Sequence, residues 1–133
     1  MKTTLSLIAF TAFLGLSSYA ADSPKIGSAA PSFSASDTKG QTHSLSDFKG
    51  KYVVLEWFNP ECPFVKKHYG SGNMQKLQQE YTDKGVVWLS VDSSAPGLEG
   101  SLTPDQGNKK MEEWKTHQTA LLLDGDGKVG RAY

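Results

Sequence analysis

The chain has little cysteine: Cys62 is the only one in 133 residues. A lone cysteine cannot form a disulfide within the chain, so the sequence excludes a scaffold that is stabilised by internal disulfides. Cys62 is then a free reactive thiol, a thiol that pairs with another molecule, or a small buried residue.

The chain also has no excess of charge of either sign. It carries 14 basic and 14 acidic residues, for a formal net charge of +0, and no basic stripe or run of like charges. Binding to a polyanion depends on clustered positive charge, so no nucleic-acid partner is expected. A length of 133 residues allows one domain.

Long apolar runs are missing, apart from one near the start. Residues 5–16 are mostly apolar, follow the positive charge of Lys2, and precede small residues that end at Ala20. This pattern predicts a signal peptide over 1–20. The run is short for a membrane-spanning helix, so a membrane anchor is the weaker alternative and no membrane span is expected in the mature form. The protein is therefore expected to be exported across the inner membrane, to the periplasm.

Beyond the signal peptide, residues 21–30 are expected to be a lead-in and residues 31–133 a single domain. Strands that alternate with helices predict an α/β fold in which helices cover both faces of a sheet. An amphipathic pattern still runs at Tyr133, so the domain is expected to be incomplete at its C-terminus. The predicted elements are a hairpin over 32–44, strands over 52–58, 86–91 and 119–123, a helical segment from Pro63, a second one capped by Asn73, a helix capped by Thr103, and a last segment capped by Asp124. In the segment after Asn73, the apolar spacing puts Met74, Leu77 and Tyr81 on one face.

The most informative pattern surrounds Cys62. An apolar run ends in Asn59-Pro60, and Pro63 follows the cysteine at a predicted helix start. Unpaired backbone N–H groups and the positive end of the helix dipole favour a thiolate at such a place. Cys62 is therefore predicted to be the catalytic nucleophile, and Asn59, Pro60 and Pro63 are predicted to hold the sulfur exposed and support its anion.

Glu56 interrupts the apolar run six residues before Cys62. A carboxylate among apolar side chains is costly, which suggests a function. Glu56 is therefore predicted to be a second catalytic group that exchanges protons with the thiol chemistry. The alternative is a carboxylate at a solvated sheet edge.

Four stretches together resemble the redoxin branch of the thioredoxin-like superfamily, which includes peroxiredoxins of the alkyl hydroperoxide reductase and thiol-specific antioxidant type. The resemblance implies a thioredoxin-like fold with an N-terminal β-hairpin and a central mixed sheet flanked by helices. It also implies an oxidoreductase with a redox-active cysteine. The stretches are APSF at 30–33, LSDFKGK at 45–51, NPECPF at 59–64 and LLDGDGKV at 122–129.

The resemblance also assigns positions around the site. Against the thioredoxin Cys-Gly-Pro-Cys pattern, Cys62 takes the nucleophilic position and Glu56 takes the place of a buried acid. Val65 takes the second cysteine's place, so dithiol exchange within the motif is excluded. Leu55 and Asn59 stand where peroxiredoxins have a proline and a threonine or serine.

The substrate therefore stays open between a small-molecule peroxide and the disulfide of a protein or small thiol. In both cases an external thiol would be the reductant, and no cofactor is expected. A second hypothesis is a non-enzymatic binding or copper-relay module, in which Cys62 acts with His43, His68 or His117. The sequence has neither two thiolates nor closely spaced histidines, so no metal is expected.

The signal peptide yields a first prediction. If residues 1–20 are removed on export, N-terminal sequencing of protein from the periplasmic fraction should begin at Ala21. Protein from cells with the export machinery blocked serves as the control and should begin at Met1. Membrane-bound material that starts at Met1 in untreated cells would contradict the prediction.

Overall fold

A three-stranded parallel sheet, in the order β3-β4-β5, lies at the centre of the computed structural model, which describes residues 24–133. The predicted signal peptide and its cleavage site lie outside the described residues. No helix among residues 24–133 is long and apolar enough to cross a membrane. The elements are β1 (Ser34–Ser36), β2 (Thr42–Ser44), a 3-10 helix (Leu45–Phe48), β3 (Val53–Trp57), α1 (Pro63–Gly70), α2 (Asn73–Asp83), β4 (Val87–Asp92), α3 (Pro104–Glu113), β5 (Ala120–Leu123) and α4 (Lys128–Ala132).

The middle strand, β4, is buried along its whole length. It pairs in parallel with β3 on one side, where Glu56 lies opposite Ser90, and with β5 on the other. A strand buried on both faces reads as a continuous apolar run, which is why the sequence pattern predicted it. β3 is half-buried instead, and Trp57 at its end is exposed.

The two faces of the sheet pack against different elements. Helices α1, α2 and α3 lie on one face, as right-handed crossovers between consecutive parallel strands require. The other face packs against the N-terminal segment, the 3-10 helix and α4. The buried core residues on the helical face are Phe58, Tyr69 and Leu121, and those on the opposite face are Phe33, Val87, Leu89, Val91, Ala120, Leu122 and Val129.

The predicted N-terminal hairpin is present as the antiparallel pair β1–β2, and it docks on β5. Asp37 forms an antiparallel bridge with Leu122, and the N–H of Thr38 donates to the carbonyl of Leu121 at 3.1 Å. The parallel strands and this antiparallel edge together give the fold its mixed pairing, as expected for a thioredoxin-like domain.

Some helix ends follow the sequence signals and others depart from them. The N-cap of α4 is Gly127, whose φ is 68°, and not the predicted Asp124. Thr103 caps α3, with Gln106 as its capping-box partner, as predicted. Asn73 was expected to cap α2, but the cap is Gly72, whose φ of 74° lies in the left-handed region, and Asn73 is the first helical residue. The apolar pattern also placed Tyr81 on the inner face of α2, whereas that side chain is exposed.

The hairpin carries a buried carboxylate whose hydrogen bonds make stability depend on pH. Asp37 is 5% exposed, and its Oδ2 lies 2.9 Å from Nε2 of His43. Burial alone would raise the pKa of Asp37, but the hydrogen bond with His43 and those from the N–H groups of Gln41 and Lys39 outweigh it. The pKa therefore lies below its ordinary value of 3.8. A pKa that is lower in the folded protein than in the unfolded chain stabilises the fold at pH values above the ordinary pKa. This stabilisation is lost as the pH falls through the lowered pKa of the folded protein.

We therefore predict that Asp37→Asn lowers the free energy of unfolding at pH 7 by about 1–3 kcal/mol, the scale of a hydrogen bond to a charged group. The difference from the parent should shrink as the pH falls below 3.8. Urea denaturation from pH 7 to pH 3 measures it, with the exposed Asp83→Asn as the control. An equal loss across that range would show that packing, and not charge, is responsible.

Candidate active site

Cys62 occupies the N-cap of α1, as the sequence predicted. Its φ and ψ of −63° and 124° are extended, and its carbonyl accepts the N–H of Lys66 at 2.9 Å. Pro63 is the first helical residue, a position where a missing N–H costs no helical hydrogen bond. Cys62 is half-buried and forms no disulfide within the described residues.

Asn59 holds the turn that precedes the cysteine. Its Oδ1 accepts the N–H of Glu61 at 2.8 Å, and its carbonyl accepts the N–H of Cys62 at 3.1 Å. Its Nδ2 lies 3.4 Å from both Ser94 Oγ and the carbonyl of Glu99. The predicted supporting residue thus also connects the cysteine turn to the loop between β4 and α3, a contact that the sequence did not reveal.

That loop is anchored by a buried carboxylate at the end of β4. Asp92 is 2% exposed and accepts the N–H of Ser94 at 2.9 Å and the N–H of Leu102 at 3.0 Å. A cavity of about 300 Å³ lies beside the turn before Cys62, the loop and α3. The cavity is lined by Pro60, Glu61, Gly100, Ser101, Leu102, Gln106, Lys109, Lys110 and Glu113.

Glu56 is half-buried on β3, an edge strand of the sheet, and its carboxylate is hydrogen-bonded to side chains of the fold. Its Oε1 accepts the hydroxyl of Tyr69 at 2.8 Å. Its Oε2 accepts Trp88 Nε1 at 2.7 Å, Ser90 Oγ at 3.1 Å and Gln78 Nε2 at 3.2 Å. These donors come from α1, β4 and α2, so one carboxylate connects three elements to β3. Among the described residues, no hydrogen bond joins Glu56 to Cys62.

The partners of Glu56 were not evident from the sequence. Tyr69 lies seven residues after Cys62, two turns along the same helix face, and Gln78 is a fully buried amide on α2. Ser90 is a polar residue between apolar residues of β4, which was a usable signal once the register opposite Glu56 was known. Burial, followed by the nearby charge of Glu56, raises the pKa of Tyr69 well above its ordinary value, so its hydroxyl stays a neutral donor.

The histidines considered for a metal site have other contacts, and His117 donates its backbone N–H to Gln78 Oε1. His43 pairs with Asp37 in the hairpin, and His68 Nδ1 lies 3.4 Å from Nδ2 of Asn73. Across residues 24–133, no group of three His, Cys, Asp or Glu side chains is placed to hold a metal ion.

The cysteine at the start of the helix after β3, the parallel order β3-β4-β5 and the docked hairpin define a thioredoxin-like domain. Similar solved structures agree. A hypothetical protein from Sinorhizobium meliloti 1021 superposes with a TM-score of 0.72 at 20% identity, over 84% of this chain and 60% of that one. This chain thus spans less than two thirds of the length of that structure.

The chain belongs to the AhpC/TSA family, whose model matches residues 26–133. It is 30% identical over 137 residues to the thiol-disulfide oxidoreductase ResA of Bacillus anthracis, covering 92% of this chain and 76% of that protein. It is 36% identical over 100 residues to the chloroplastic peroxiredoxin Q of Triticum aestivum, covering 66% of this chain and 45% of that protein. These relatives make the described domain an oxidoreductase.

The contact between Asn59 and the loop yields a prediction with a matched control. Gly97 and Gly100 both have φ in the left-handed region, +81° and +87°, so alanine strains the backbone at either position. A Cβ at Gly97 meets nothing within 4 Å, whereas one at Gly100 clashes with the side-chain amide of Asn59. Gly100→Ala should therefore cost about 1–3 kcal/mol more stability than Gly97→Ala, the usual penalty of overpacking.

The same clash should displace the turn before Cys62. Gly100→Ala is expected to change the rate at which iodoacetamide alkylates Cys62, while Gly97→Ala should leave that rate at the parental value. Chemical denaturation and a timed mass-spectrometric alkylation assay measure the two effects. Equal stability losses and equal alkylation rates in the two variants would show that Asn59 does not hold the turn.

Proposed function

We propose that this chain is a thiol oxidoreductase in which Cys62 is the nucleophile and Glu56 is the proton acceptor. The observation that carries the proposal is the position of the only cysteine at the N-cap of α1, in a domain of the AhpC/TSA family. A helix N-terminus favours the thiolate, which is the attacking form in thiol–disulfide exchange.

The favoured substrate is a disulfide of a protein or small thiol, since ResA relatives match most of the chain. The Cys62 thiolate attacks one sulfur of RS–SR, so a mixed disulfide forms and RS⁻ leaves to take a proton from water. A second thiol, R′SH, then attacks the R sulfur. The bond to Cys62 breaks, RS–SR′ forms, and the proton of R′SH passes to Glu56.

That second thiol comes from outside the 133 residues, because Val65 occupies the place of a resolving cysteine and the chain has no other thiol. The cavity of about 300 Å³ beside Pro60 and Glu61 leaves room next to the cysteine turn for an incoming molecule. Its volume is at the lower end of the range for small-molecule sites.

A second candidate is peroxide reduction with an antioxidant role, which the likeness to peroxiredoxin Q favours. The thiolate would attack the terminal oxygen of ROOH, and the O–O bond would break to give a sulfenic acid and ROH after proton uptake. Two external thiols would restore Cys62, releasing water and R′S–SR′. Peroxide consumption with no disulfide exchange would favour this candidate.

We propose the periplasm as the site of action, on the sequence of residues 1–20. A free thiol in an oxidising compartment needs a reductant delivered there, which agrees with a requirement for an external thiol.

The proposed roles give a prediction for two variants. Cys62→Ser should abolish exchange, because serine cannot form the mixed disulfide. Glu56→Gln should slow the resolution of a Cys62 mixed disulfide by roughly ten- to a thousandfold, the contribution of one general acid or base, and change alkylation of Cys62 much less. Rates of mixed-disulfide reduction at pH 6 to 8 measure this.

The control is Glu80→Gln, which removes an exposed carboxylate that pairs with Lys84. It should keep the parental rate. If Glu56→Gln also kept the parental rate while Cys62→Ser was inactive, Glu56 would be structural and the cysteine would act with the helix dipole alone.

A further inference from the structure

The two oxygens of the Glu56 carboxylate are unequally occupied. A carboxylate offers about four lone-pair positions, two on each oxygen. Oε2 accepts three donors, from Gln78, Trp88 and Ser90, so its positions are filled. Oε1 accepts only Tyr69 among the described residues. Oε1 is therefore the oxygen with a lone pair left to receive a proton.

The direction of the hydrogen bond to Oε1 is fixed by a chain of contacts. The backbone N–H of His117 donates to Gln78 Oε1 at 2.9 Å, which orients the amide. The Nε2 of Gln78 then faces Tyr69 and donates to its hydroxyl oxygen at 2.8 Å. With that oxygen acting as an acceptor, the Tyr69 O–H proton is directed to Glu56.

We propose that Tyr69 is a positioning residue that holds Glu56 Oε1 ready to accept the proton of the attacking thiol. This inference rests on the proposed function. Tyr69 also lies on the helix that begins at Cys62, so the residue that orients the acid is carried by the same element as the nucleophile.

Among the groups that contact the Glu56 carboxylate, Tyr69 is the one expected to change its proton affinity. From α2 the contact is the neutral amide of Gln78, and from β4 the contacts are the neutral side chains of Trp88 and Ser90. His117 reaches the network through its backbone N–H, on Gln78. Tyr69, from α1, is the titratable side chain in direct contact. Burial raises its pKa well above the ordinary value, so it donates a proton to the hydrogen bond throughout the working range.

Bonds and protons balance in the resolution step. R′SH attacks the R sulfur of the mixed disulfide, its S–H proton moves to Oε1, and Cys62 leaves as a thiolate while RS–SR′ forms. The protonated carboxyl then returns its proton to solvent. Glu56 must be ionised at the start of this step in order to receive that proton.

The test compares Tyr69→Phe with Tyr81→Phe, which removes the hydroxyl of an exposed tyrosine on α2. The full chain is loaded with 2-mercaptoethanol at Cys62, and its release by dithiothreitol is followed by intact mass from pH 4 to pH 8. The ratio of variant to parental rate cancels the titration of the reductant. Tyr69→Phe removes one hydrogen bond to an ionised group, so the acid limb of the plot of release rate against pH should move about one pH unit upward. In Tyr81→Phe this acid limb should stay in place.

A second substitution keeps the test sharp if Tyr69→Phe folds poorly. Site-specific replacement of Tyr69 by 3-fluorotyrosine retains the ring and makes the hydroxyl a stronger donor. It should move the acid limb downward, opposite to the phenylalanine variant. If Tyr69 only filled space, the two substitutions would not shift the acid limb in opposite directions.

The outcomes separate this inference from the proposed function. If Glu56→Gln slows resolution but both Tyr69 changes leave the acid limb in place, Tyr69 is structural and the inference is overturned while the proposed function stands. If Cys62→Ser retains exchange, the proposed function itself fails. Opposite shifts in the two Tyr69 proteins, with Tyr81→Phe unmoved, support the inference.

Discussion

The arrangement of the site depends on one half-buried carboxylate. Glu56 lies on the face of the sheet that is covered by α1, α2 and α3, where a charge without hydrogen-bond partners would be costly. Its four donors come from α1, α2 and β4, so satisfying the charge requires these elements to take fixed positions relative to β3. Because α1 begins at Cys62, the constraint that satisfies the acid also fixes the helix that carries the thiol.

Two further carboxylates act in the same way at the carboxyl ends of the neighbouring strands. Asp92 ends β4 and accepts two loop N–H groups, while Asp124 follows β5 and accepts the N–H groups of Val129 and Gly130. Ser93 Oγ donates to Asp124 at 2.7 Å and so joins the two loops. The edge at which Cys62 emerges is therefore held by side-chain acceptors on buried acids, which lets irregular backbone lie there without unpaired donors.

The sequence predicted the features that depend on residues close together in the chain. A proline after Cys62 and a threonine with a glutamine three residues on are complete signals for helix starts, and both helices begin there. The partners of Glu56 could not be found this way. Ser90 meets Glu56 through strand register, and Gln78 reaches it because Gly72 redirects the chain between α1 and α2, so both contacts depend on tertiary structure. The apolar spacing of α2 even favoured Tyr81 over Gln78 for the inner face.

Glu56 and the turn before Cys62 differ in how firmly they are held. Glu56 is held firmly, because Tyr69 and Gln78 both donate to its carboxylate and Gln78 also donates to Tyr69. The acid therefore cannot turn to another partner without leaving buried groups unsatisfied. The turn before the cysteine is different, since Asn59 contacts the facing loop at 3.4 Å and a cavity of about 300 Å³ adjoins it. In the proposed function the second thiol comes from outside these 133 residues, which hold no other cysteine. A firmly held acid and an open cavity beside the cysteine turn suit that requirement, because only the side of the site that receives the second thiol has to stay open.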